Sequence, residues 1–162
     1  MTRPALAILL CAAALVVGAA RAESPSPEII ARGHSLTDAA GCASCHTSDP
    51  AQPFAGGKRI DTPFGAVYTP NLTPDRETGI GNWSDDDFYR ALHEGISPSG
   101  ARYYPAFPYP YFTKLTRDDV LAMRAYLATL KSVRHATPPP DLTWPLNHRV
   151  LMRGWNWLYF TS

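Results

Sequence analysis

An all-α domain is predicted from three observations. Three stretches open on a helix-capping residue and continue with helical spacing, no run alternates polar and apolar side chains convincingly, and prolines crowd the connections. The 162 residues include 16 prolines, about twice the usual ~5%. Much of the backbone is therefore expected in loops between short helices.

The first helix is expected in SPEIIARGHSLTDAAGC, with Ser26 as N-cap, Pro27 at the first helical position and Glu28 in the first turn. The second is SDDDFYRALHEG, where Ser84 caps, Asp85 to Asp87 lie on the positive helix end and Gly95 marks the stop. The third is TRDDVLAMRAYLATLK. There Thr116 and Asp119 have capping-box spacing, with Asp in place of the usual Glu or Gln. Val120, Met123, Leu127 and Leu130 then make an apolar stripe at i, i+3, i+7 and i+10.

Ahead of these elements, MTRPALAILLCAAALVVGAARA has the form of a secretory signal peptide. Arg3 gives a positive start, an apolar run follows, and Ala20-Arg21-Ala22 is a small-x-small cleavage site. The run is short for a bilayer span of ~20 residues. Cys11 falls within it and is expected to leave with the leader. The expected organisation is a signal peptide over 1–22, one domain over 23–136 and an aromatic-rich C-terminal extension over 137–162. Losing Arg3 and Arg21 from the 15 basic residues leaves 13 against 14 acidic ones. That near-neutral balance does not suit a nucleic-acid-binding protein.

Export puts the chain in an oxidising compartment, which sharpens the question of GCASCHT, residues 41–47. A disulfide between Cys42 and Cys45 would close a very small loop and constrain little. Zinc would need further ligands, and the exported part has no other cysteine. A thioredoxin-like motif would need a βαβ setting, which is not visible. His46 directly after Cys45 decides the matter. Two thiols about one helical turn apart match the two vinyl groups on one haem edge and add to them as thioethers, and the following histidine is then aimed at the iron. One covalently attached haem c, and its iron, is expected on Cys42, Cys45 and His46, with His46 the metal ligand. No catalytic residue is expected.

The segments FAGGKRIDTPFGAVYTPNLTPDRETGIGNWSDDDFYRALHEGISPSG and YYPAFPYPYFTKLTRDDVLAMRAYLATL resemble the cytochrome c subunits of periplasmic, membrane-associated dehydrogenases acting on alcohols, aldehydes, gluconate or nicotinate. Over roughly residues 29–160 the likeness is to a single first-haem domain of such a subunit. It implies the class I cytochrome c fold, with three main helices and long irregular loops around the haem. In that fold the first and last helices cross with a small residue against an aromatic one, positions suited to Gly33 and Tyr126. It also implies electron transfer from a periplasmic dehydrogenase subunit to a downstream acceptor. Such subunits usually carry several haem domains in series, and this chain, with its one CxxCH motif, is expected to be a monohaem carrier that is not catalytic alone. A periplasmic location follows, with membrane association through a complex. The turn-rich stretches Thr62-Pro63-Phe64-Gly65 and Thr69-Pro70-Asn71 are able to run along a flat cofactor. Backbone amides there, with Trp83, Arg59 or Tyr68, are candidates to bond the haem propionates.

The resemblance fails at one position. Methionine-ligated relatives read Pro-Ala-Met-Pro-Tyr before the last helix; here Phe107 stands in place of the methionine. The sixth ligand is left open among Met152, His148, Met123 and none, although Met123 suits core packing. An open iron site defines the alternative function, a haem enzyme or small-ligand sensor. The extension carries Trp144, Trp155, Trp157, Tyr159 and Phe160. It is expected either to complete its own domain's core or to dock a partner through Trp155 and Trp157.

Overall fold

Local capping chemistry starts three of the helices in the computed structural model, which describes residues 24–160. Ser26 accepts from the Ile29 amide and opens α1 (Pro27–Ala39). A turn at Gly41 leads into the five-residue α2 (Cys42–His46). Ser84 and Asp87 form a full capping box at the head of α3 (Asp85–His93), each side chain bonding the other's amide. Thr116 opens α5 (Arg117–Leu127) by accepting from the Asp119 amide. The box stays half-made because the Asp119 carboxylate turns to the Thr116 hydroxyl and to Arg32.

The expected three-helix, strand-free architecture needs correcting. The described residues hold six helices and a three-stranded sheet in the order β1-β2-β3. Besides those named, the helices are the one-turn α4 (Tyr109–Phe112) and α6 (Leu151–Tyr159), and α5 ends four residues short of Lys131. Strands β1 (Arg59–Thr62) and β2 (Gly65–Tyr68) pair antiparallel across the two-residue turn Pro63-Phe64, in the register Ile60 to Val67. The two-residue β3 (Asp141–Leu142) joins the other edge of β2. Four residues are too few to declare a period of two, and β3 exists only through a partner far away in sequence.

The core lies between α3, α5 and the loop after α2. It consists of Phe54, Ile80, Phe88, Ala91, Leu92, Val120, Met123 and Leu127. The expected stripe of α5 thus turns inward, except that Leu130 lies beyond the helix end and is only partly buried.

The α1–α5 crossing brings backbone against backbone. A Cβ on Gly33 would lie 1.9 Å from the Ala122 carbonyl oxygen and 3.0 Å from the Tyr126 Cβ. Only glycine permits backbone to touch backbone there. The Tyr126 ring packs against His34 with centroids 4.6 Å apart. Arg32 Nε clamps the same crossing by donating to Asp119 Oδ1 at 2.9 Å.

The chain after α5 stays on its own domain. Asn71 donates to the Val133 carbonyl at 2.7 Å, and the Thr143 amide to the Phe64 carbonyl at 2.9 Å. Helix α6 then docks on the fully buried Tyr109 through the rings of Trp155 and Phe160. The buried Asn156 amide donates to the Tyr109 hydroxyl and the Met152 carbonyl, and its oxygen accepts from Arg102. Of the two tryptophans expected as docking anchors, Trp155 therefore faces inward, while Trp157 is 84% exposed.

Gly33→Ala is expected to force the crossing apart and to lower stability by at least the ~1–3 kcal/mol of an overpacked core; thermal unfolding followed by circular dichroism measures it. The Asp119 carboxyl is held below its ordinary pKa, first by the Arg32 hydrogen bond and then by that of Thr116. A lowered folded-state pKa stabilises above the unfolded carboxylate pKa, and the gain is lost as pH falls through the folded value. Asp119→Asn should thus melt below wild type at pH 7, with the gap closing under acid conditions below ~pH 4.

Candidate functional site

Helix α2 is short, and its placement matters more than its length. It continues α1 after a tight turn, so the α1–α5 crossing fixes where its side chains point. Cys42, Cys45 and His46 all face one cavity of about 280 Å³. Its walls come from the β1–β2 hairpin, α3, residues 103–108, α5 and the start of the extension. They are mostly apolar or aromatic, including Leu72, Trp83, Phe88, Phe107, Phe112 and Leu127.

The chemistry of the three motif residues differs with their setting. Both thiols are free, and Cys45 is exposed while Cys42 is partly buried. Burial pushes the Cys42 thiol up to about 11, so it stays protonated at neutral pH and is a poor redox nucleophile. Among the described residues no group of three or more His, Cys, Asp or Glu side chains gathers as a metal cage. His46 Nδ1 lies 2.7 Å from the Pro70 carbonyl oxygen. That contact makes Nδ1–H the donor and leaves Nε2 as the free lone pair. Burial lowers the imidazole pKa, opposed by the Pro70 carbonyl, so the ring is held neutral with its free lone pair on Nε2.

The Pro70 carbonyl is itself held from behind. Gly56 has φ +74, and a Cβ there would lie 2.5 Å from both C and O of Pro70. Its amide donates to the His46 carbonyl at 2.7 Å, while Gly57 donates to Thr69 at 2.8 Å. Of the two turn-rich stretches expected along the cofactor, Thr69 and Pro70 line the cavity, Asn71 turns away to the Val133 carbonyl, and none of Thr62-Pro63-Phe64-Gly65 lines it.

The remaining expectations divide. Tyr68 and Trp83 line the cavity, but Arg59 does not: it is tied to Asp61 at 2.9 Å and to the Tyr68 hydroxyl at 3.1 Å. Phe107 and Met123 are in the wall, and Phe107 stacks on Phe112 with centroids 5.5 Å apart. Met152 is buried in the α6 contact and His148 is exposed; neither lines the cavity. Sequence reasoning missed Tyr104 and Arg149, both in the wall. Nothing local signals them, because distant parts of the chain bring them together.

A family model described as Cytochrome c matches residues 30–131. The chain belongs to the cytochrome c family. That membership implies covalent haem c with its iron, and the donor set fits: two free thiols, an imidazole with its lone pair available and an apolar cavity beside them. Among similar cytochromes is the cytochrome c subunit of a quinone alcohol dehydrogenase from Gluconobacter oxydans, 41% identical over 92% of this chain and 31% of the relative. A nicotinate dehydrogenase component from Pseudomonas putida is 46% identical over 81% of this chain and 11% of its own length. A diheme cytochrome c-type protein of Cereibacter sphaeroides is 38% identical over 94% of this chain and 56% of its own length. The chain thus spans between about a tenth and somewhat over half of these relatives.

Gly56→Ala is expected to push the Pro70 carbonyl off His46, at a cost above ~1 kcal/mol from the left-handed backbone alone. Thermal unfolding would register the cost, and the His46 Nδ1 proton resonance would lose its hydrogen-bonded shift.

Proposed function

We propose that this cytochrome carries a single haem c on Cys42 and Cys45, with His46 to hold its iron, and passes electrons from a substrate dehydrogenase towards a respiratory acceptor. The observation that carries the reading is the convergence of both free thiols and the His46 imidazole on one apolar cavity. The relatives support the dehydrogenase link, among them a gluconate 2-dehydrogenase cytochrome c subunit from Pantoea cypripedii. When bound, the haem supplies one-electron chemistry through its iron.

The chain's own residues do the rest. The Pro70 carbonyl orients His46 and raises its basicity. The aromatic wall around Phe107 and Phe112 would keep water out of the occupied cavity, which suits electron transfer. The exposed side of α6, with Trp157, Leu158 and Tyr159, is the docking surface in this reading. Export to the periplasm rests on the leader-like residues 1–22, which lie outside the described residues. Among the described residues no helix is long and apolar enough to cross a membrane.

Expressed in cells that mature c-type cytochromes, the protein should keep its haem through acid-acetone extraction, and the double variant Cys42→Ala/Cys45→Ala should release it. Free loss from the wild type would end the proposal. Trp157→Ala is expected to leave the melting temperature nearly unchanged, within ~0.5 kcal/mol, while slowing reduction by the dehydrogenase. Trp155→Ala should show the opposite pattern, because its ring packs on Tyr109.

A further inference from the structure

The cavity wall contains one permanently charged side chain among the described residues, and it comes from the C-terminal extension. Arg149 lies in the segment between β3 and α6, at the cavity edge formed with Tyr103, Tyr104 and Pro140. Its guanidinium carbon sits 4.8 Å from the centroid of the Tyr104 ring, and Nη1 donates to the Arg102 carbonyl at 3.1 Å. Those two contacts hold the guanidinium of this exposed residue over the Tyr104 ring and occupy one of its five N–H donors. No carboxylate among the described residues pairs with it, a state it shares with Arg76, Arg102 and Arg153 but not with Arg32, Arg59, Arg90, Arg117, Arg124 or Arg134.

Beside it lies a second unmet group. The Tyr104 hydroxyl is buried and has no hydrogen-bond partner among the described residues. Native proteins seldom leave such an atom unsatisfied. A guanidinium fork and an orphaned hydroxyl at one edge of an otherwise apolar cavity suit a carboxylate, which takes a forked donor and one further hydrogen bond.

We infer that Arg149 and Tyr104 form a carboxylate-binding rim and that the carboxylate is a propionate of the haem, so the extension completes the cofactor site. The inference rests on the haem reading above. Haem brings two carboxylates into a cavity whose wall, among the described residues, holds no other permanent positive charge, and unpaired carboxylates in apolar surroundings are costly. Arg59 is tied to Asp61 outside the wall. Arg149 is therefore the cationic partner the wall offers.

The test uses the holoprotein. Resonance Raman spectra give the propionate bending band, and redox titrations across pH 5 to 9 give the midpoint potential and its linked proton. Other titratable groups around Arg149 are Tyr103, Tyr104, Arg102, the neighbouring His148 on its own segment, and Tyr68 and His46 elsewhere in the wall. Burial pushes the Tyr103 hydroxyl up to about 12, so it stays neutral over that range.

Arg149→Gln should shift the bending band, lower the midpoint potential and move the redox-linked pKa upward by roughly one unit, as loss of an adjacent cation does. Arg149→Lys should restore the potential in part but not the band, because charge returns without the fork. Tyr104→Phe should shift the band while leaving the linked pKa nearly in place. A lower melting temperature for Arg149→Gln with band and potential unchanged would reduce Arg149 to a structural role and overturn the inference. A wild-type midpoint that moves with added acetate, in a way abolished by Arg149→Gln, would assign the rim to a free carboxylate and overturn it too. Haem retention through acid-acetone is scored on the same samples, so a failure of the haem reading itself is seen separately.

Discussion

Backbone contact between α1 and α5 at Gly33 is the constraint from which the rest of the architecture follows. A carbonyl that would sit 1.9 Å from a methyl group leaves no room for any other residue. With the two helices locked at that distance, the Arg32–Asp119 pair and the His34–Tyr126 ring contact fall into place on either side. Helix α2 follows α1 after a single turn, so its orientation is inherited from the crossing. The inward stripe of α5, with Val120, Met123 and Leu127, then supplies part of the core, and Met123 and Leu127 also reach the cavity that α2 faces. One packing decision thus sets both the stability of the fold and the aim of its reactive side chains.

The cavity places few polar groups in a low-dielectric wall, where each counts for more than it would in water. His46 is neutral because burial disfavours its charged form, and it is oriented because one nitrogen is committed to Pro70. Under the proposed function that commitment tunes the electron density offered to iron, through a backbone carbonyl that no side-chain substitution at position 70 removes. The glycines behind the carbonyl are therefore part of the site although neither presents a functional group.

Much of this was legible in the sequence wherever the determinants were local. Ser26, Ser84 and Thr116 cap the helices they were expected to cap, because an N-cap depends on residues only two or three positions away. Gly33 and Tyr126 meet at the crossing that the family resemblance implied. What stayed hidden was non-local or too short for a period. The hairpin strands have four residues each and β3 has two. Helix α6 exposes Leu151, Trp157 and Leu158 while burying the polar Asn156 beside Met152, so side-chain polarity alone did not tell which side faces inward. Arg149 and Tyr104 become neighbours only after the extension has folded back, and no motif joins them.

The docking of α6 on Tyr109 has a mechanical consequence. A segment following a finished domain would ordinarily act as a tether, with reach and orientation averaged over a random coil. Here β3, the Thr143–Phe64 hydrogen bond and the buried Asn156 tie the segment back onto its own domain. Under the proposed function, a partner seated on the outer side of α6 would be carried by the domain itself and not by a loose tail. The range of distances from the cavity over which an electron must tunnel would then be narrower than a coil allows.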